Sequence, residues 1–185
     1  MTRGMFQRIL PLLLLVAHVA LWAAAYLTLG KIVGPYPVHF DASGRPDGWT
    51  DVGWWLHPVM ALGISLLLSG TVPLARRLAV KSPQWVNIPR KADWLKLPVE
   101  ARLRSLRAAE GLVWGFTLFV NLLFISITLD TYGVATGVQP GLSVAKLLVV
   151  LACLAVWLVL SILRVRQAVG DEVRLQRRPA EGEAG

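Results

Sequence analysis

Five side chains that can carry protons or bind metal lie in one short stretch of the chain: His39, Asp41, Asp47, Asp51 and His57. Imidazole nitrogens and carboxylate oxygens are both ligands that zinc accepts, and a water held on such an ion becomes a nucleophile near neutral pH. The spacing matches no established zinc pattern. Aspartates beside serine and glycine can equally hold their own turns, while a histidine bonds a backbone carbonyl. A metal site with His39, Asp41 and Asp47 as ligands and a purely conformational role for the same residues therefore stand side by side. No cofactor is expected. The single cysteine, Cys153, lies inside an apolar run and can form neither an internal disulfide nor a CxxC site.

The backbone around these residues is rich in turn formers. Pro35 and Pro37 enforce an extended start. Strand-like alternation would then point Val38 and Phe40 one way and His39 and Asp41 the other. Asp41 to Gly44 reads as a turn closed by a glycine of positive φ, and Arg45-Pro46-Asp47-Gly48 as a second turn with proline at its favoured position. Thr50 or Asp51 is placed to cap a following helix. Trp49, Trp54 and Trp55 suit a belt at a membrane interface. A loop of this composition, residues 30–51, is expected to be folded, with His39, Phe40, Asp41, Gly44, Pro46, Asp47 and Trp49 as its candidate ligand-binding residues.

The elements that must position this loop are membrane spans. Of the 185 residues 55% are hydrophobic and only 16% charged, too few to cover a water-soluble surface. Four apolar runs, at about 9–29, 52–75, 111–129 and 142–163, are long enough to cross ~30 Å of hydrocarbon as helices. No alternating pattern suggests a barrel. The first run is longer than the apolar part of a signal peptide, so an uncleaved anchor is expected. The fold class is thus an all-α integral membrane protein in one domain with four transmembrane helices. Pro73 is expected to kink or end the second.

Orientation follows from lysine and arginine. Two lie before the first run, nine in the loop 76–110 and five in the tail 164–185. Only Lys31, Arg45 and Lys146 fall on the other side. This places both termini and the middle loop in the cytoplasm, with the 30–51 loop outside. The same distribution accounts for the net charge of +8 without nucleic acid; anionic headgroups of the inner leaflet are the expected partner. Within the spans, His18 and Asn121 are polar groups at depth, each suited to an interhelical hydrogen bond. Ala61, Ser65 and Ser69, and Gly111 with Gly115, are small-residue stripes that serve packing within the chain or, alternatively, a homodimer. No acid stands in the middle of a span and no inverted repeat is visible, which leaves a transporter component as a third reading. In the middle loop, Val99, Leu103 and Leu106 predict a short interfacial helix, with Trp85 and Trp94 at headgroup level. Arg164 to Arg178 should prolong the fourth helix, and the polar residues from Pro179 onward should not fold alone.

The segment Pro37-Val-His39-Phe40-Asp-Ala-Ser-Gly44-Arg-Pro46-Asp47-Gly48-Trp49 closely resembles the signature of bacterial membrane proteins carrying the domain of unknown function 1648, which forms the N-terminal part of SdpI-type immunity proteins. The middle-loop segment Asn87-Ile88-Pro89-Arg90-Lys91-Ala-Asp93-Trp94-Leu95 is similar to one found in the same loop of such proteins, and adds Asn87, Pro89, Arg90, Lys91 and Trp94 as candidates. The resemblance covers roughly residues 10–70 and elsewhere extends mainly to topology. It implies a multi-pass protein of a bacterial inner membrane with an immunity-like role, and the folded outer loop itself reads as a sensor or recognition element for an extracytoplasmic peptide or lipid. The residues themselves leave a metal-dependent membrane enzyme as the alternative.

Overall fold

The computed structural model describes the backbone of residues 3–182 and side chains from 9 to 176. Its elements are α1 (Arg3–Leu27), a hairpin of β1 (Tyr36–Phe40) and β2 (Pro46–Thr50), α2 (Leu56–Lys81), a short α3 (Lys91–Leu95), α4 (Val99–Ala135) and α5 (Val144–Gly182). Among the described residues, four helices are long and apolar enough to cross a membrane: α1, α2, α4 and α5.

Burial runs opposite to that of a water-soluble bundle. Leu12, Leu15, Val16 and Val19 on α1 and Leu148, Val149, Val156 and Val159 on α5 stand exposed, whereas Thr117, Asn121, Thr128 and Thr131 on α4 are fully buried. Apolar side chains outside and small polar side chains inside are what lipid solvation favours.

The chain divides into two compact units, Met1–Leu66 with Phe116–Ala155 and Leu67–Gly115 with Val156–Gly185. Side-chain hydrogen bonds tie the first together at depth. Trp22 Nε1 donates to His18 Nε2 at 3.1 Å, so the imidazole proton sits on Nδ1 and faces Asn121 Oδ1 at 2.8 Å. Asn121 Nδ2 in turn donates to Ser65 Oγ and to the Thr117 carbonyl, each at 3.0 Å. His18 thereby joins α1 to α4, and Asn121 joins α4 to α2, as expected for polar residues at depth in a membrane bundle.

The second unit has an apolar cluster of Ala79, Val86, Ile88, Trp94, Leu97, Ala101, Leu106, Val165 and Val169. The segment between α2 and α4 is therefore a folded cap. Trp94 belongs to its core, not to a headgroup belt: it is wholly buried, while Trp85 is 74% exposed. The expected interfacial helix at 99–107 is the first part of α4, in one helix with the third span. Gly115 admits the ring of Trp157, which a Cβ would strike, whereas Gly111 faces open space. Only one glycine of that pair serves packing inside the chain.

Three further expectations change. Of the two outcomes expected at Pro73, ending the helix is the one that fails: it runs on to Lys81, because membrane helices re-satisfy the groups a proline frees. The second turn, Arg45 to Gly48, is instead largely strand β2, opened by Pro46, where φ suits an edge strand and no ladder donor is needed. The fourth helix continues through Pro179 to Gly182, since a proline in a last turn forgoes a single bond. Residues 183–185 of the expected unstructured tail lie outside the described residues.

Candidate functional site

The outer loop is a β-hairpin. Strand β1 pairs antiparallel with β2, with Tyr36 opposite Thr50, Pro37 opposite Trp49, His39 opposite Gly48 and Phe40 opposite Pro46. Register breaks on either side of His39 interrupt strict alternation. Tyr36 and Pro37 are consequently both buried, and Val38 and His39 both exposed, in place of the expected two-faced pattern.

Asp41 organises the tip. Its Oδ1 accepts from the Ser43 amide at 2.8 Å, the Ser43 hydroxyl at 2.7 Å and the Arg45 amide at 2.9 Å. The Ser43 hydroxyl first, and then the Arg45 amide, hold this carboxyl below its ordinary range. Gly44 follows at φ +83°, and its carbonyl accepts from the Leu142 amide at 2.7 Å. That bond docks the hairpin tip onto the connection between α4 and α5. The connection is itself fixed by Asp130, 2% exposed, which accepts from Lys146 Nζ at 2.7 Å and from the Ser143 amide at 2.9 Å.

The base of the hairpin is held by aromatics. Tyr36, buried at 3% exposure, donates to the Gly53 carbonyl and sets its ring edge-on to His57. Burial raises its hydroxyl above the ordinary phenol range. The Thr128 hydroxyl gives its proton to the Phe124 carbonyl, so His57 donates to it through Nδ1 at 3.0 Å. Trp54 packs edge-on to Trp22 and Tyr26 of α1. Thr50 accepts from the Val52 amide, and α2 begins only at Leu56, so neither Thr50 nor Asp51 caps it as expected.

Against this rigid frame two residues face outward. His39 Nδ1 lies 2.5 Å from Asp47 Oδ1, with side chains 73% and 46% exposed. Gly48 makes room for the pair, because a Cβ there would come within 2.8 Å of His39 Cβ. The structure thus brings His39 and Asp47 together and assigns Asp41 to its own turn and His57 to Thr128. Among the described residues no group of three His, Cys, Asp or Glu is placed to hold a metal ion. Phe40 and Pro46 close the strand ends half-buried, and Trp49 is exposed beside Asp47.

The middle-loop candidates divide in the same way. Trp94 is a core residue. Arg90 sits at φ 59° and pairs with Asp93 at 2.7 Å, Lys91 donates to the Gln84 carbonyl, Pro89 is half-buried and Asn87 is exposed. Sequence reasoning passed over Tyr36 and the Asp130–Lys146 pair as anchors of the outer face. The acid ending one apolar run and the lysine one turn inside the next were the available signal for the latter.

No family model matches the chain, nor does any curated protein or solved structure.

Proposed function

We propose that the protein is an SdpI-related membrane protein acting as a binding or regulatory module, with the outer hairpin as the recognition element for an extracytoplasmic peptide. The observation that carries this reading is the exposed His39–Asp47 pair on a hairpin anchored at both tip and base. The pair adds little to stability at that exposure, yet it presents a donor and an acceptor at a fixed spacing. Each strand of the two-stranded sheet has one edge without a strand partner, where an extended peptide would add in the strand-addition mode of recognition, with Trp49 exposed as an apolar contact.

The test is a peptide display library panned on purified full-length protein in nanodiscs. Peptides enriched on the wild type should lose enrichment at least tenfold on a His39→Ala, Asp47→Asn variant whose melting temperature is unchanged. Equal enrichment on both proteins would sink the reading.

The proposed orientation puts both ends and the cap in the cytoplasm of a bacterial inner membrane, supported by sixteen lysines and arginines against three. In a Cys153→Ala background, a membrane-impermeant thiol reagent applied to intact cells should label cysteines at Ala42 and Val138 but not at Gln84. The reverse pattern would overturn the orientation.

A further inference from the structure

In the second unit, α2 and α4 part to leave an apolar groove of about 110 Å³ lined by Thr71, Val72, Ala75, Leu106, Ala109 and Val113. Small side chains make the space: alanines stand at 75 and 109, where larger residues would fill it. The groove belongs to two helices able to cross a membrane, and exposed Leu74 and Val80 on α2 mark the surrounding surface as apolar. Its end is closed by an ion pair. Arg76 Nε donates to Glu110 Oε1 at 2.6 Å and Arg76 Nη2 to Glu110 Oε2 at 2.9 Å.

This pairing leaves a specific chemistry unspent. A guanidinium has five N–H donors, and a carboxylate bound side-on through Nε and Nη2 uses two. Of the remaining three, one each on Nη1 and Nη2 lie along the end-on edge, the geometry that takes a second bidentate oxyanion. Glu110 is mostly covered, at 17% side-chain exposure, whereas Arg76 is 53% exposed, so the carboxylate fixes the fork and the free edge faces outward. Arg77 and Arg107, both exposed, lie one residue beyond Arg76 and three before Glu110 on the same two helices. An oxyanion joined to an apolar tail, at the depth where a helix leaves the bilayer, is a phospholipid.

We propose that the groove between α2 and α4 is a binding site for an anionic glycerophospholipid, one acyl chain lying along Ala75 and Ala109 and the phosphodiester on the free edge of Arg76. Glu110 is a positioning residue for that arginine. Basic pockets between membrane helices are an established means of holding anionic headgroups. The inference is independent of what the outer hairpin binds.

The test is native mass spectrometry of full-length protein purified in detergent and offered equimolar phosphatidylglycerol and phosphatidylcholine of identical chains. Wild type should retain phosphatidylglycerol preferentially, and Arg76→Gln should reduce that preference about tenfold, the loss of charge-assisted bonds to one phosphate. If Arg76→Gln does not fold, Arg76→Lys keeps the charge without the fork and should lose most of the preference. Ala109→Leu, whose added carbons the groove accommodates, should reduce retention of both lipids with no loss of melting temperature. Equal retention of the two lipids by wild type, or unchanged retention in Arg76→Lys and Ala109→Leu, would overturn the proposal. So would displacement of the lipid by millimolar inorganic phosphate alone, since that would mean a headgroup contact without the groove.

Discussion

Trp94→Ala should lower the stability of the detergent-solubilised protein by about 3–5 kcal/mol, the range for truncating a large buried aromatic. Trp94 is fully buried among Val86, Ile88, Leu97, Ala101 and Val169. Its Nε1 donates to Ser105 Oγ at 2.9 Å, the Ser105 hydroxyl passes its own proton to the Arg102 carbonyl at 2.8 Å, and the Arg102 guanidinium lies 5.7 Å from the ring centroid. The alanine thus removes a core volume, a hydrogen bond and a cation–π contact together. Ser105→Ala separates these contributions, because it keeps the ring and strands its N–H, at a cost of about 1–3 kcal/mol. Chemical denaturation monitored by tryptophan fluorescence should rank Trp94→Ala above Ser105→Ala, and both well above a substitution of exposed Asn87. If Trp94→Ala left stability unchanged, the cap would not be a folded unit resting on this residue.

That ranking also shows why the middle loop was only partly legible. Sequence similarity drew attention to the run from Asn87 to Trp94 as one candidate site, but similarity does not distinguish a residue kept for contact with a partner from one kept for the core. Ile88 and Trp94 face inward and Asn87 outward, and the left-handed Arg90 sets how the chain runs from Ile88 into the helix that carries Trp94. A positive φ at an arginine leaves no mark in composition, since Asn, Asp and Gly are the usual occupants of that region.

The spans were legible because lipid allows few solutions: a run of some twenty apolar residues must close its hydrogen bonds within itself. Their ends were not. The helices α4 and α5 extend well beyond their apolar centres, because once Leu103, Leu106, Val165 and Val169 can pack against one another in the cap, helix continues into polar sequence. His18 and Asn121 were legible as a pair of buried polar groups needing partners; that they share a bond with each other and with Ser65 depends on helix rotation, which sequence periodicity leaves open. In the outer loop, the turn at Asp41 to Gly44 followed from local residue chemistry alone. The pairing of His39 with Asp47 did not, since it requires the register that two irregularities impose.

The hairpin tip supplies the other large effect, and two glycines allow its causes to be separated. Gly44 at φ +83° and Gly137 at φ +72° both occupy backbone that side chains adopt poorly, at about 1–2 kcal/mol for a residue with a Cβ. A Cβ on Gly137 would meet nothing within 4 Å, so Gly137→Ala should cost that amount and no more. A Cβ on Gly44 would stand 2.6 Å from the Leu142 carbonyl oxygen, and the Val144 side chain is 3.2 Å away. Relief requires the tip to withdraw from the α4–α5 connection, which breaks the bond from the Leu142 amide to the Gly44 carbonyl. Overpacking of this kind adds about 1–3 kcal/mol, and valine at 44 places further branches in the same space. Thermal unfolding in detergent should therefore rank Gly44→Val as most harmful, then Gly44→Ala, with Gly137→Ala well behind. Equal losses for the two alanine variants would mean that the tip is not docked on Leu142. Because His39 and Asp47 lie back along the strands from this contact, Gly44→Ala should also loosen the pair while leaving both side chains in place. Any peptide selected on the wild type should then bind Gly44→Ala more weakly and Gly137→Ala unchanged, a dependence that an unanchored loop carrying the same two residues would not show.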